Sequence, residues 1–212
     1  MNYTDLRDFI AALEQRGELR RIHHERGFPD VDKDSLGLVP VACQERSGLI
    51  FVTQEPEGSG MLRDDFVDSE LPELRSADLD LLETHDNEID VNWKVLVEGA
   101  IEGYHIRFGH PETFFPYGYD NLNIVEHSGP HSRVTFPFRR IEKLADMPEN
   151  ERDIAGRVTY VYHLFPNALV TVLSHHTIVV VFEPVAPGRT RNISYSLAHT
   201  AGDPAAIETL SL

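Results

Sequence analysis

The chain has 212 residues, and 19 Lys+Arg against 35 Asp+Glu give a formal net charge of −16. That is enough chain for one or two domains with a real core, and the acidity argues against nucleic acid or an anionic membrane as partner, because nothing offsets phosphate repulsion. Cys43 is the one cysteine, which excludes an intrachain disulfide and any cluster or zinc site that needs two thiolates from this chain.

No stretch approaches the roughly 18 to 20 apolar residues that span a bilayer, and Met1-Asn2-Tyr3-Thr4-Asp5 lacks the basic and apolar regions of a secretory signal. A cytoplasmic protein is expected. Residues 4 to 16 predict an amphipathic helix: Thr4 is a suitable N-cap, Leu6, Phe9, Ile10 and Leu13 form one stripe, and Gly17 is a natural stop. Turn signals at Phe28-Pro29-Asp30 and Ser47-Gly48 bracket a short strand over 36–42, which Pro40 confines to a sheet edge. Leu49-Ile50-Phe51-Val52 predicts a buried strand, and residues 54–60, with Pro56, Gly58 and Gly60, a linker. Residues 64–90 are acidic and poor in large apolar side chains, which predicts surface loop and a short helix. Residues 92–110 predict one long helix. Beyond it the pattern alternates with period two, and strands are expected at 122–126, 133–138, 158–163, 169–174, 178–182 and 192–197, joined by short turns. One long helix on an antiparallel meander is an α+β domain. The final phrase, Ile207 to Leu212, reads as an element cut short.

Eleven histidines in this length make metal chemistry the class to examine. On an unbroken helix Glu98, Glu102 and His105 share one face, where they either bind a metal, hold a ligand histidine by hydrogen bond, or form a solvated face. His105 and His110 are five apart, about 140° of rotation on an ideal helix, so they chelate one ion only if the turn widens or the helix ends early. Gly109 frees the backbone there and Pro111 disfavours helical geometry at His110. Two imidazoles and one carboxylate on one side of a metal are the donor set of non-haem Fe(II) oxygenases. Asp203 and Glu208 are the nearest later acids. Elsewhere His175-His176 either line a pocket or sit satisfied in the core, and Phe114, Phe115, Tyr117 and Tyr119 either wall an apolar cavity or pack beneath a loop.

The run Asn92-Trp93-Lys94, Glu98, Glu102, His105, His110, Pro111 resembles the catalytic-domain signature of the Rieske-type non-haem iron oxygenases, the aromatic-ring-hydroxylating dioxygenase α-subunit family. Residues 25–52 are similar to the stretch that follows the Rieske cluster in that family, and Leu164-Phe165-Pro166-Asn167 to a recurring phrase of its sheet. The resemblance implies an antiparallel helix-grip fold of the START and Bet v 1 type, a curved sheet around a long helix, truncated here. It implies a mononuclear Fe(II) held by His105 and His110, with Glu102 as the catalytic acid that bridges an iron histidine to the Rieske histidine of a neighbouring subunit. The family's third iron ligand is an Asp in a late helix, beyond Leu212. Electrons would arrive from a reductase or ferredoxin through a [2Fe-2S] Rieske centre. The paired Cys-x-His and Cys-x2-His motif of that centre is absent, so this chain cannot bind it.

Implied partners are O2 and a small apolar, aromatic or quaternary-amine substrate, with hydroxylation or oxidative demethylation as the reaction and a homotrimer as the assembly. Without the cluster and the third ligand, this chain alone is expected to be inactive. The alternative is a helix-grip module that binds a small ligand without redox chemistry, or an inactive fragment. Residues 1–22 resemble instead the start of the prenylated-flavin-dependent decarboxylases, through Tyr3, Asp5-Leu6-Arg7-Asp8-Phe9-Ile10, Leu13-Glu14 and Gly17-Glu18-Leu19. Three segments are therefore expected: an amino-terminal helix over 1–22, a remnant of the post-Rieske stretch over 23–60, and the iron domain over 61–212.

Overall fold

In the computed structural model the described residues are Ala11, Gln15, 41–53, 69–74, 79–173 and 176–199. The chain divides into two compact units, Met1–Pro40 and Val41–Leu212. The predicted helix over 4–16 lies outside the described residues except for Ala11 and Gln15, which are helical. The 54–60 linker, His175, Asp203, Glu208 and the final phrase also lie outside them.

In the second unit, β1 (Ala42–Arg46) and β2 (Leu49–Thr53) form an antiparallel hairpin. Its two-residue turn is Ser47-Gly48, both at positive φ, where Gly48 carries no steric cost. Then come β3 (Leu79–Ile89), helix α1 (Trp93–Ala100), helix α2 (Ile106–Gly109) and the strands β4 (Ile124–Ser128), β5 (His131–Pro137), β6 (Val158–Leu164), β7 (Ala168–Val172), β8 (His176–Ala186) and β9 (Arg189–His199). Among the described residues these strands make a seven-stranded antiparallel sheet in the order β3-β9-β8-β7-β6-β5-β4. All six strands expected after the helix segment are present and pair with their sequence neighbours.

Alternation along these strands sends side chains to two separate cores. On one face Val134, Phe136, Val161, Leu169 and Phe182 pack with Val97 and Ile106, and Trp93, Leu96 and Ala100 of α1 close over them. On the other face Tyr162, Leu164, Val170 and Val179 pack with Leu71, and Leu49 and Phe51 of the hairpin cover them. The sheet is therefore the middle of three layers, so its central strands read as near-continuous apolar runs.

The expected long helix of a helix-grip fold is not what forms. The 92–110 segment is two short helices, eight and four residues long, with Ile101 to His105 between them. Gly99 and Gly103 each cost a helix about 1 kcal/mol against Ala. Glu102 spends its carboxylate on the amides of Tyr104 and His105, which starts a new turn instead of continuing the old one. Gly103 is also where the chain runs close to another backbone: a Cβ there would sit 3.1 Å from the Asp120 carbonyl oxygen and 3.4 Å from the Phe136 ring. The acidic 64–90 stretch likewise departs from the loop expected of it. Its second half is β3, an eleven-residue edge strand paired along its length with β9.

Candidate metal centre

The Asn-Trp-Lys phrase sets the helix that leads into the site. The Asn92 side chain accepts the Lys94 N–H at 2.9 Å as an N-cap. Its amide also donates to the Pro187 carbonyl at 2.6 Å, at the β8–β9 turn. Beside it, the fully buried Thr190 hydroxyl donates to the Val91 carbonyl at 2.7 Å. Trp93 packs into the first core. The start of α1 is thus fixed to the sheet from two directions.

At the break, Glu102 Oε1 lies 2.8 Å from His105 Nδ1 and accepts the His105 N–H at 3.0 Å, while Oε2 accepts the Tyr104 N–H. An ionised carboxylate at Nδ1 holds the proton on that nitrogen and leaves Nε2 as the donor lone pair. His110 closes α2, its N–H bonded to the Ile106 carbonyl at 3.0 Å. It sits at φ −129° and ψ 47°, outside the helical region that the following Pro111 disfavours. The early helix end brings the two rings to a centroid separation of 5.4 Å at an interplanar angle of 71°. Burial, and then the charge of His105, push the His110 imidazole below its usual pKa. Both act against the protonated ring, and the neutral imidazole is the form that binds metals.

Not every expected residue joins. Glu98 is exposed on α1 and, with the helix broken, no longer shares a face with Glu102 and His105. Among the described residues no three His, Cys, Asp or Glu side chains converge as a metal-binding group. Glu102 thus braces His105, and the side chains brought together are one carboxylate and two imidazoles. Of the loop aromatics, Phe114 and Phe115 lie against the first core, Tyr119 stacks on Arg139, and Tyr117 is exposed. His176 is half-buried at the start of β8. A cavity of about 310 Å³ lies on the opposite side of the sheet, between β2 and the Phe165-Pro166-Asn167 turn. In that turn the Phe165 N–H donates to buried His131 Nδ1 at 3.1 Å.

The contacts around Arg107 were not expected from the residue pattern. Its Nε lies 2.7 Å from Asp120 Oδ2, and its guanidinium 5.2 Å from the Phe115 ring centre. Arg107 is the only Lys or Arg between Lys94 and Arg133, which was the one available signal.

The described site is a carboxylate-braced histidine pair on a broken helix, carried by an antiparallel sheet. The family model of the ring-hydroxylating α-subunit catalytic domain matches residues 76–209, and the chain belongs to that family. The oxygenase subunit of carnitine monooxygenase from Escherichia coli strain K12 is 28% identical over 109 residues, 47% of this chain and 28% of that protein. Putrescine 2-hydroxylase from Ralstonia nicotianae is 27% identical over 199 residues, 86% of this chain and 50% of that protein.

Two solved structures share the fold at 16% identity. A quaternary ammonium Rieske monooxygenase has a TM-score of 0.63 and covers 91% of this chain and 51% of its own. Naphthalene 1,2-dioxygenase with indole in its active site has a TM-score of 0.59 and covers 92% of this chain and 53% of its own. The chain spans half, or less, of the length of the curated relatives it matches. Rieske oxygenases use a mononuclear iron and a Rieske iron–sulfur centre. Among the described residues no helix is long and apolar enough to cross a membrane.

Proposed function

We propose that this chain is catalytic-domain sequence of a Rieske-type oxygenase, in which His105 and His110 hold a mononuclear Fe(II). The observation that carries this reading is the 2.8 Å contact of Glu102 with His105 Nδ1 beside the His110 ring, 5.4 Å away between centroids. The donor set fits the metal: imidazole suits iron, and a ligand histidine that hands its other nitrogen to a carboxylate is the usual arrangement around such ions. Iron held there supplies O2 activation for hydroxylation or oxidative demethylation of a small apolar, aromatic or quaternary-amine substrate.

The chain's own residues have three tasks in that chemistry. Glu102 keeps the proton on Nδ1 and fixes the ring. His110, at the end of α2, offers the second ring. The broken helix sets the two rings side by side. Electrons come from a Rieske centre that Cys43, the single thiol of the sequence, does not provide. The third ligand comes from outside the described residues. A trimeric assembly and a cytoplasmic location belong to the same reading.

Titration with Co(II), followed by NMR of the histidine rings, tests it. One Co(II) per chain should displace the ring signals of His105 and His110 first and leave those of His85 and His127 in place. Equal response of all four, or none, would overturn the assignment.

A further inference from the structure

We infer that Arg107 and Asp120 form a positioning brace that fixes the spacing of the two metal-site histidines. This deepens the metal-centre reading and rests on it. Arg107 sits inside the four-residue α2, two residues after His105 and three before His110. A helix of that length does not hold itself in water, so its geometry must come from side-chain contacts. The inward face of α2 supplies Ile106, which is buried in the core. On the outward face Phe108 and Gly109 are exposed, as is Tyr104 just ahead of the helix.

Arg107 is the residue that reaches across to the returning loop. Its Nε donates to Asp120 Oδ2 at 2.7 Å, and the Asp120 side chain is only 14% exposed. The chain at Asp120 is itself held close to the helix break, since its carbonyl would lie 3.1 Å from a Cβ at Gly103. The same guanidinium stands over Phe115, and so does that of Arg139, two residues past β5. Arg139 donates its N–H to the Tyr117 carbonyl at 2.7 Å, and Tyr119 donates to the Pro137 carbonyl at 3.2 Å. A continuous path therefore runs from β5 through Arg139, Phe115 and Arg107 to the turn between the histidines. The Phe115 N–H donates back to the His110 carbonyl at 3.0 Å, which ties the far end of the turn to the same ring. Breaking the pair frees α2 without removing a core side chain.

The test uses the full chain with Arg107→Ala, Asp120→Ala, the double variant, and the exchanged pair Arg107→Asp with Asp120→Arg. Amide hydrogen exchange is read at Ile106 to His110 and Co(II) affinity in parallel. Each single variant should speed exchange there by about three- to tenfold, and the double variant should add little more. The exchanged pair should restore protection, and the global unfolding midpoint should stay put. Co(II) affinity should fall with the singles and recover with the exchange. Unchanged exchange in the singles, additive singles, or no recovery would overturn the brace. If the parent chain binds no Co(II), the metal reading fails while the exchange data still decide the brace.

Discussion

Replacing Glu102 by Ala removes two things at once, and the geometry separates them. The carboxylate caps the second helical turn through the amides of Tyr104 and His105, and losing such a cap costs about 1 kcal/mol. It also pairs with His105 Nδ1 at 2.8 Å, with the two side chains 41% and 37% exposed. At that exposure solvent screening leaves the pair worth roughly 0.5 kcal/mol. The folded state should therefore lose about 1.5 kcal/mol in urea unfolding. The effect on metal should be larger, because a carboxylate that orients a ligand histidine is worth about 10- to 100-fold in affinity. Glu102→Gln keeps a neutral oxygen acceptor in place, so it should keep most of the stability and recover only part of the affinity. Competition titration with Co(II) beside a urea series reads both quantities. A Glu102→Ala chain that binds Co(II) as tightly as the parent would refute the assignment of Glu102 as brace.

Further substitutions probe the fold around the site. Gly103→Ala places a methyl 3.1 Å from the Asp120 carbonyl and should destabilise the chain by about 1–3 kcal/mol. Gly99→Ala meets nothing within 4 Å and should stabilise α1 by up to about 1 kcal/mol. Urea midpoints of the two should move in opposite directions. Leu164, 2% exposed in the second core, should cost about 2–5 kcal/mol when cut to Ala, again read by urea unfolding. The Arg191 guanidinium holds the Asp86 carboxyl below the ordinary carboxylate range. A lowered folded pKa gives stability that is complete above the unfolded value and lost as the pH falls below it. The parent should therefore lose more stability than Asp86→Asn as acid is added below about pH 4, and high salt should shrink the difference.

The sheet was largely legible in the residues because its central strands are buried on both faces and rich in Val, Ile, Phe and Tyr. Its ends were not. β8 continues through Glu183 to Ala186, exposed positions with no alternation to mark them, and β3 escaped notice because an exposed edge strand carries acids in place of an apolar face. The helix segment misled in a different way. Trp93, Leu96, Val97 and Ala100 carry the helical period into the break, but Gly99, Gly103 and the capping Glu102 act against it, and only the packed loop at Asp120 decides the outcome. That His105, His110 and Glu102 lie near one another was legible from spacing and from the family signature. Arg107 and Asp120 were not, since they lie thirteen positions apart and nothing local links their positions.

Anaerobic Fe(II) binding by the purified chain, beside His105→Ala and His110→Ala, tests the central claim most directly. One Fe(II) per chain in the parent and none in either variant is the predicted result. Binding that survives both substitutions, or is absent from the parent, would contradict an iron site at this histidine pair.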